Sequence, residues 1–87
     1  MNYQRIYDQI IEQAKTRQLD SYTERHHIIP KCLGGSNNKD NLVKLTAREH
    51  FICRQLLCEI YPDNKSLKYA LCLMNIGKKS IKMLIIK

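Results

Sequence analysis

No stretch of this sequence holds the ~18 consecutive apolar residues that a membrane-spanning helix needs. A membrane span is therefore not expected. The first 20 residues carry Asp8, Glu12 and Asp20 and have no long apolar segment, which argues against a secretion signal. None of the four cysteines, Cys32, Cys53, Cys58 and Cys72, forms a C-x-x-C pair, the spacing of zinc knuckles and ribbons. They read as reduced thiols of a cytoplasmic protein that serve as small packing residues. Tryptophan is absent and phenylalanine occurs once, and no internal repeat or low-complexity segment is visible. From Asn64 onward there is no acidic residue at all.

What is present suits one small globular domain spanning residues 1–87. The composition is 44% hydrophobic and 26% charged, which separates it from disordered chains. A chain of 87 residues buries on the order of two-thirds of its surface, so the core is thin. The net charge of +7 is unevenly placed. Residues 1–63 are nearly neutral, whereas residues 64–87 hold six lysines. A cationic end on a near-neutral body suits an anionic partner, of which nucleic acid is the commonest. The plainer reading is a solvated tail that keeps the protein soluble.

Periodicity predicts an α+β fold. Tyr3, Ile6, Tyr7, Ile10, Ile11 and Ala14 form the stripe of an amphipathic helix running from Asn2, its cap, to about Arg17. Packing on its own domain accounts for that stripe. Residues 22–29 read as a short strand ending at Pro30, residues 31–41 as a Gly/Ser/Asn/Asp loop, and residues 42–45 as a second strand able to pair antiparallel with the first. Thr46 and Glu49 make a capping box for a helix that stops at Pro62. Asp63 or Asn64 caps a further helix over residues 65–76, ended by Gly77. The last ten residues mix lysines with apolar residues and fit no element.

All three histidines, His26, His27 and His50, fall within the strand–loop–strand–helix segment. Neighbouring strand residues point to opposite faces, so His26 and His27 share a task only if the strand bends. Pro30 and the Gly34–Gly35 pair make such a bend plausible. Arg54 lies one helical turn after His50, on the same face. Singly, each histidine reads as a surface or core-edge residue, Asn41 as a turn or strand-start residue, the two glycines as loop formers, and Arg54 as a solvated charge.

As an ordered set they resemble something more specific. The string ERHHIIPKCLGGSNNKDNLVKLTAREHF is similar to the HNH, or ββα-metal, endonuclease motif of small phage proteins, some of them homing endonucleases. The resemblance covers residues 23–58, and its parts fall in order: a doublet ending in His, a Pro, a Gly-Gly loop, an Asn leading an apolar strand, and a His one turn into a helix. His27 and Asn41 are 14 residues apart, and Asn41 and His50 are 9 apart, as in the family pattern. The resemblance implies a ββα-metal core flanked by an N-terminal helix (residues 1–17) and a basic C-terminal segment (residues 63–87). It implies His27 as general base, Asn41 as the residue orienting it, and His26 and His50 as ligands of one divalent metal ion. Mg²⁺ or Mn²⁺ is expected there, with Ni²⁺ or Zn²⁺ as alternatives. Some family members have a third ligand where this chain has Arg54, and a guanidinium does not ligate metal.

The chemistry is coherent with those residue types. A neutral imidazole, with a pKa of ~6.5, accepts a proton from water near neutral pH. A divalent ion offsets the charge that develops on a phosphodiester, and two imidazoles suffice to hold one when phosphate and water complete its shell. Arg54 and Lys31, Lys65, Lys68, Lys78 and Lys79 are candidate phosphate contacts, sequence-independent by nature. The expectation is a cytoplasmic DNA-nicking enzyme, acting in the host if phage-encoded, with double-strand cleavage requiring a homodimer or two successive events. Two rival readings stay open. One is a DNA-binding protein that keeps the scaffold without the chemistry. The other is a structural zinc protein using His26, His50 and Cys53 or Cys32, which would unfold on chelation.

Overall fold

The computed structural model describes residues 1–74, with side chains through Leu71. Helix α1 spans Tyr3–Lys15, strand β1 Glu24–His27, strand β2 Leu42–Leu45, helix α2 Ala47–Ile60 and helix α3 Lys65–Met74. The loop between the strands contains two single 3₁₀ turns, Lys31–Leu33 and Lys39–Asn41. The fold is thus a small α+β arrangement of three helices and one two-stranded sheet, compatible with a ββα core.

Each helix begins where its side chains can satisfy exposed N–H groups. The Asn2 side chain accepts from the Arg5 N–H at 3.0 Å. Thr46 accepts from the Glu49 N–H at 3.2 Å while Glu49 accepts from the Thr46 N–H at 2.9 Å, completing the expected capping box. Of the two candidate caps before α3, Asn64 takes the role, accepting from the Leu67 N–H at 2.9 Å. Each such cap contributes about 1 kcal/mol. The first helix ends two residues before the expected Arg17, because Thr16 closes it with its N–H on the Gln13 carbonyl.

The strands pair antiparallel, with Glu24 opposite Leu45 and His26 opposite Val43. Strand β1 is shorter than the predicted residues 22–29. It ends where the Ile28 N–H turns to the Asn41 carbonyl at 2.8 Å and Pro30 follows. Two four-residue strands are not stable alone; α1 and α2 cover one face of the pair. Val43, Leu45, Tyr7, Ile11, Ala14, Cys53, Leu56, Leu57 and Leu67 form the core there. Leu45 and Leu56 are completely buried, and each contributes about 2 kcal/mol.

The register has a consequence for chemistry. Residues facing the same way on paired strands are Glu24, His26, Val43 and Leu45. Two of these are polar or charged, yet their face is the one directed at the core. Burying such groups is costly unless each finds a partner.

Candidate active site

Those partners come from both flanking helices. His26, with 3% of its surface exposed, meets the Tyr7 hydroxyl of α1 through Nε2 at 2.8 Å. Tyr7 donates its single hydroxyl proton to the Ile28 carbonyl at 2.7 Å. The Tyr7 oxygen must therefore accept from His26, which fixes His26 as the Nε2–H tautomer with its lone pair on Nδ1. His50 of α2 donates from Nδ1 to the Glu24 carboxylate at 2.7 Å, which leaves its lone pair on Nε2. The two imidazoles stand edge to face, ring centres 5.2 Å apart. Arg54, one turn along α2, donates from Nε to His50 Nε2 at 3.4 Å.

Electrostatics agree with this assignment. Burial, with His50, Arg54 and His27 adding to the effect, pushes the His26 imidazole down to about 3, so it is neutral at physiological pH. Burial likewise raises the Tyr7 phenol above its ordinary value, with Cys53 and Asp8 adding to the effect, and keeps it a proton donor.

His27 lies on the opposite face of β1 and is partly exposed. Even so, the chain bends after it, and His26 and His27 both line one cleft of about 300 Å³. Pro30, Lys31, Cys32, Arg54 and α3 residues Ser66, Leu67 and Ala70 complete much of its wall. The bend that the strand rule demanded for a shared role is thus present. His27 Nε2 donates to the Asn37 side-chain oxygen at 2.7 Å, leaving its lone pair on Nδ1.

The expected role of Asn41 as the residue holding the His27 ring needs correction. The Asn41 amide is spent on backbone: it accepts from the Ile29 N–H at 2.8 Å and donates to the Ile29 and Ser36 carbonyls at 3.0 and 2.9 Å. Asn41 orients the loop after β1, and Asn37 holds the ring. The cause is reach, since Asn41 precedes β2 directly opposite the bend and meets main chain first.

Of the other candidates, Lys31 and Arg54 line the cleft, and Lys65 and Lys68 are exposed on α3 outside its lining. Lys78 and Lys79 lie outside the described residues. Among the described residues no three His, Cys, Asp or Glu side chains are grouped to hold a metal. A structural zinc site built on His26, His50 and a cysteine is therefore not formed. Cys53 is fully buried in the core, its thiol pushed up to about 12 by that burial, and exposed Cys32 lies against Asn64.

Three contributors do not stand out in the sequence pattern. Tyr7 was hidden in an apolar stripe. Asn37 was one of several loop amides. Glu24 could have been found, because a carboxylate two residues before His26 shares its strand face.

The donor chemistry fits a divalent ion at two positions, His26 Nδ1 and His50 Nε2. The Glu24 carboxylate behind His50 holds its Nδ1–H, the outer-shell arrangement usual for metal-binding histidines.

The chain is 55% identical over 75 residues to probable mobile endonuclease E of Enterobacteria phage T4, covering 85% of this chain and 52% of that protein. It is 47% identical over 87 residues to probable mobile endonuclease D of the same phage, covering 93% of this chain and 34% of that protein. With probable mobile endonuclease B the identity is 50% over 66 residues, 70% of this chain and 25% of the relative. No family model and no solved structure matches. The chain spans about half the length of the first of these relatives and about a third of the second, and it is similar to one part of several phage proteins named as probable mobile endonucleases.

Proposed function

We propose that this chain carries the catalytic unit of an HNH-type, metal-dependent endonuclease that hydrolyses DNA phosphodiester bonds, one strand per site. The observation that carries the reading is the meeting of His26, His27, Lys31 and Arg54 at one cleft, with His50 against His26 and both buried imidazoles in defined tautomers. The phage relatives named as probable mobile endonucleases support it, as does the motif that the string from Glu24 to Phe51 resembles.

In this reading His26 and His50 would hold one divalent ion, Mg²⁺ or Mn²⁺ by preference. When bound, the ion supplies Lewis-acid stabilisation of the charge that builds on the phosphate oxygens. The remaining work belongs to the chain. His27, its Nε2–H fixed by Asn37, accepts a proton from water at Nδ1 as the water oxygen bonds to phosphorus. The bond from phosphorus to O3′ breaks, and its electron pair stays on that oxygen. Arg54 and Lys31 lie where they can bind the phosphate, and the exposed Lys65 and Lys68 can follow the backbone. Asn41 keeps the loop that carries Asn37 and Lys31 in place. One site cuts one strand, so a double-strand break takes a homodimer or two events. A phage enzyme of this kind would act on DNA in the host cytoplasm.

The contact between Arg54 and His50 Nε2 also favours a second reading, a DNA-binding protein that keeps the scaffold without chemistry. Supercoiled plasmid separates the two. Metal-dependent nicking with Mg²⁺, Mn²⁺ or Ni²⁺, abolished by EDTA and by His27→Ala, establishes the nuclease. Equal DNA binding by both proteins with no cleavage under any metal establishes the binding protein.

A further inference from the structure

Arg54 is asked to serve two partners. It donates to the lone pair of a metal-ligand candidate, and it lines the cleft in which phosphate would lie. We propose that Arg54 is a substrate-operated latch on the metal position: in the DNA-free chain its guanidinium holds His50 Nε2, and a DNA phosphate entering the cleft draws it away and frees that nitrogen for the divalent ion. The inference rests on the proposed roles of His26 and His50.

Three observations support it. First, the geometry pairs both ring nitrogens of His50: Nδ1 lies 2.7 Å from the Glu24 carboxylate, and the Arg54 Nε–H is directed at Nε2. A guanidinium and a divalent cation cannot share one lone pair, and their like charges repel. Second, Arg54 borders the same cleft as His26, His27 and Lys31. It can turn from His50 towards a bound phosphate by side-chain rotation, with α2 unmoved. Third, the two contacts are unequal. A single N–H···N contact at 3.4 Å is a long hydrogen bond. A guanidinium on a phosphate makes two parallel charge-assisted bonds and is considerably stronger. Phosphate therefore wins the competition for Arg54.

The consequence is positive coupling. DNA tightens metal binding, and by reciprocity metal tightens DNA binding. An ion is then recruited when substrate is present, and the chain without DNA holds metal weakly.

The test titrates Mn²⁺ calorimetrically into the DNA-free wild-type chain and into Arg54→Met, which keeps side-chain length and removes the charge. The expected result is about tenfold tighter Mn²⁺ binding by Arg54→Met, the scale on which groups behind a ligand tune metal affinity. Nitrogen-15 NMR of the wild-type chain in EDTA provides a second reading that needs no variant. Saturation with a short DNA duplex should move the Arg54 Nε–H and His50 Nε2 signals together. Equal Mn²⁺ affinities, no Mn²⁺ binding by either folded chain, or a His50 Nε2 signal unmoved by DNA each overturns the latch. If Arg54→Met does not fold, the NMR result decides. Failure of plasmid nicking with a tenfold affinity difference intact removes the nuclease reading and leaves the latch. Intact nicking with equal affinities does the reverse.

Discussion

The side-chain amide of Asn41 pairs with both backbone polar groups of Ile29, accepting from its N–H and donating to its carbonyl. It imitates a strand partner at the point where β1 has ended. The same amide reaches the Ser36 carbonyl, so one side chain joins the end of β1 to the loop that returns to β2. Gly35 makes this closeness feasible, since a Cβ there would lie 1.7 Å from the Ile29 carbonyl oxygen.

Asn41→Ala leaves three backbone groups without their partner, and urea unfolding should show a loss of about 2–3 kcal/mol. Gly35→Ala should be at least as damaging, because the obstacle is main chain and cannot rotate away. An unchanged urea midpoint for either variant contradicts the described role of this loop.

Tyr7→Phe keeps the ring in the core and removes one oxygen. The His26 Nε2–H and the Ile28 carbonyl then lose their shared partner. A stability loss of about 1–3 kcal/mol follows from the unmet groups. More specifically, nitrogen-15 shifts of His26 should change from a single Nε2–H tautomer to a mixture. A tautomer that persists in Tyr7→Phe means another group sets it.

Arg17 and Glu49 tie the end of α1 to the start of α2 through a two-pronged pair. The Arg17 hydrogen bonds hold the Glu49 carboxyl below its ordinary value, assisted by Thr46 against the opposing effect of burial. A carboxylate with a depressed native pKa stabilises the fold above the ordinary carboxylate range, and that contribution is lost as pH falls through the native value. Stability of the wild-type chain should therefore fall on acidification more steeply than that of Glu49→Gln. At neutral pH, Arg17→Ala should lose about 1 kcal/mol, because the pair is partly exposed to screening solvent.

Thiol labelling should discriminate by depth. Cys32 is exposed, whereas Cys53 is buried with its thiol pushed up to about 12. Mass mapping after brief alkylation at neutral pH should find Cys32 modified and Cys53 untouched until denaturant is added. Early labelling of Cys53 would mean that the α1–α2 interface opens far more readily than its packing indicates.

The sequence alone determined the elements and their order. Asn2, Thr46 with Glu49, and Asn64 mark helix starts by short-range hydrogen bonding, and apolar spacing marks the faces, so both are legible without the fold. The order of His26, His27, Asn41 and His50 was legible as a pattern for the same reason. Tertiary structure alone decided what those side chains touch. Tyr7 is 19 residues from His26, Glu24 is 26 from His50, and Asn41 is 12 from Ile29. Such contacts depend on strand register and helix docking, which fix which lone pair each imidazole keeps. Spacing could name Asn41 as a partner of the histidine segment, but only the bend after β1 showed that its amide meets backbone while Asn37 takes the ring.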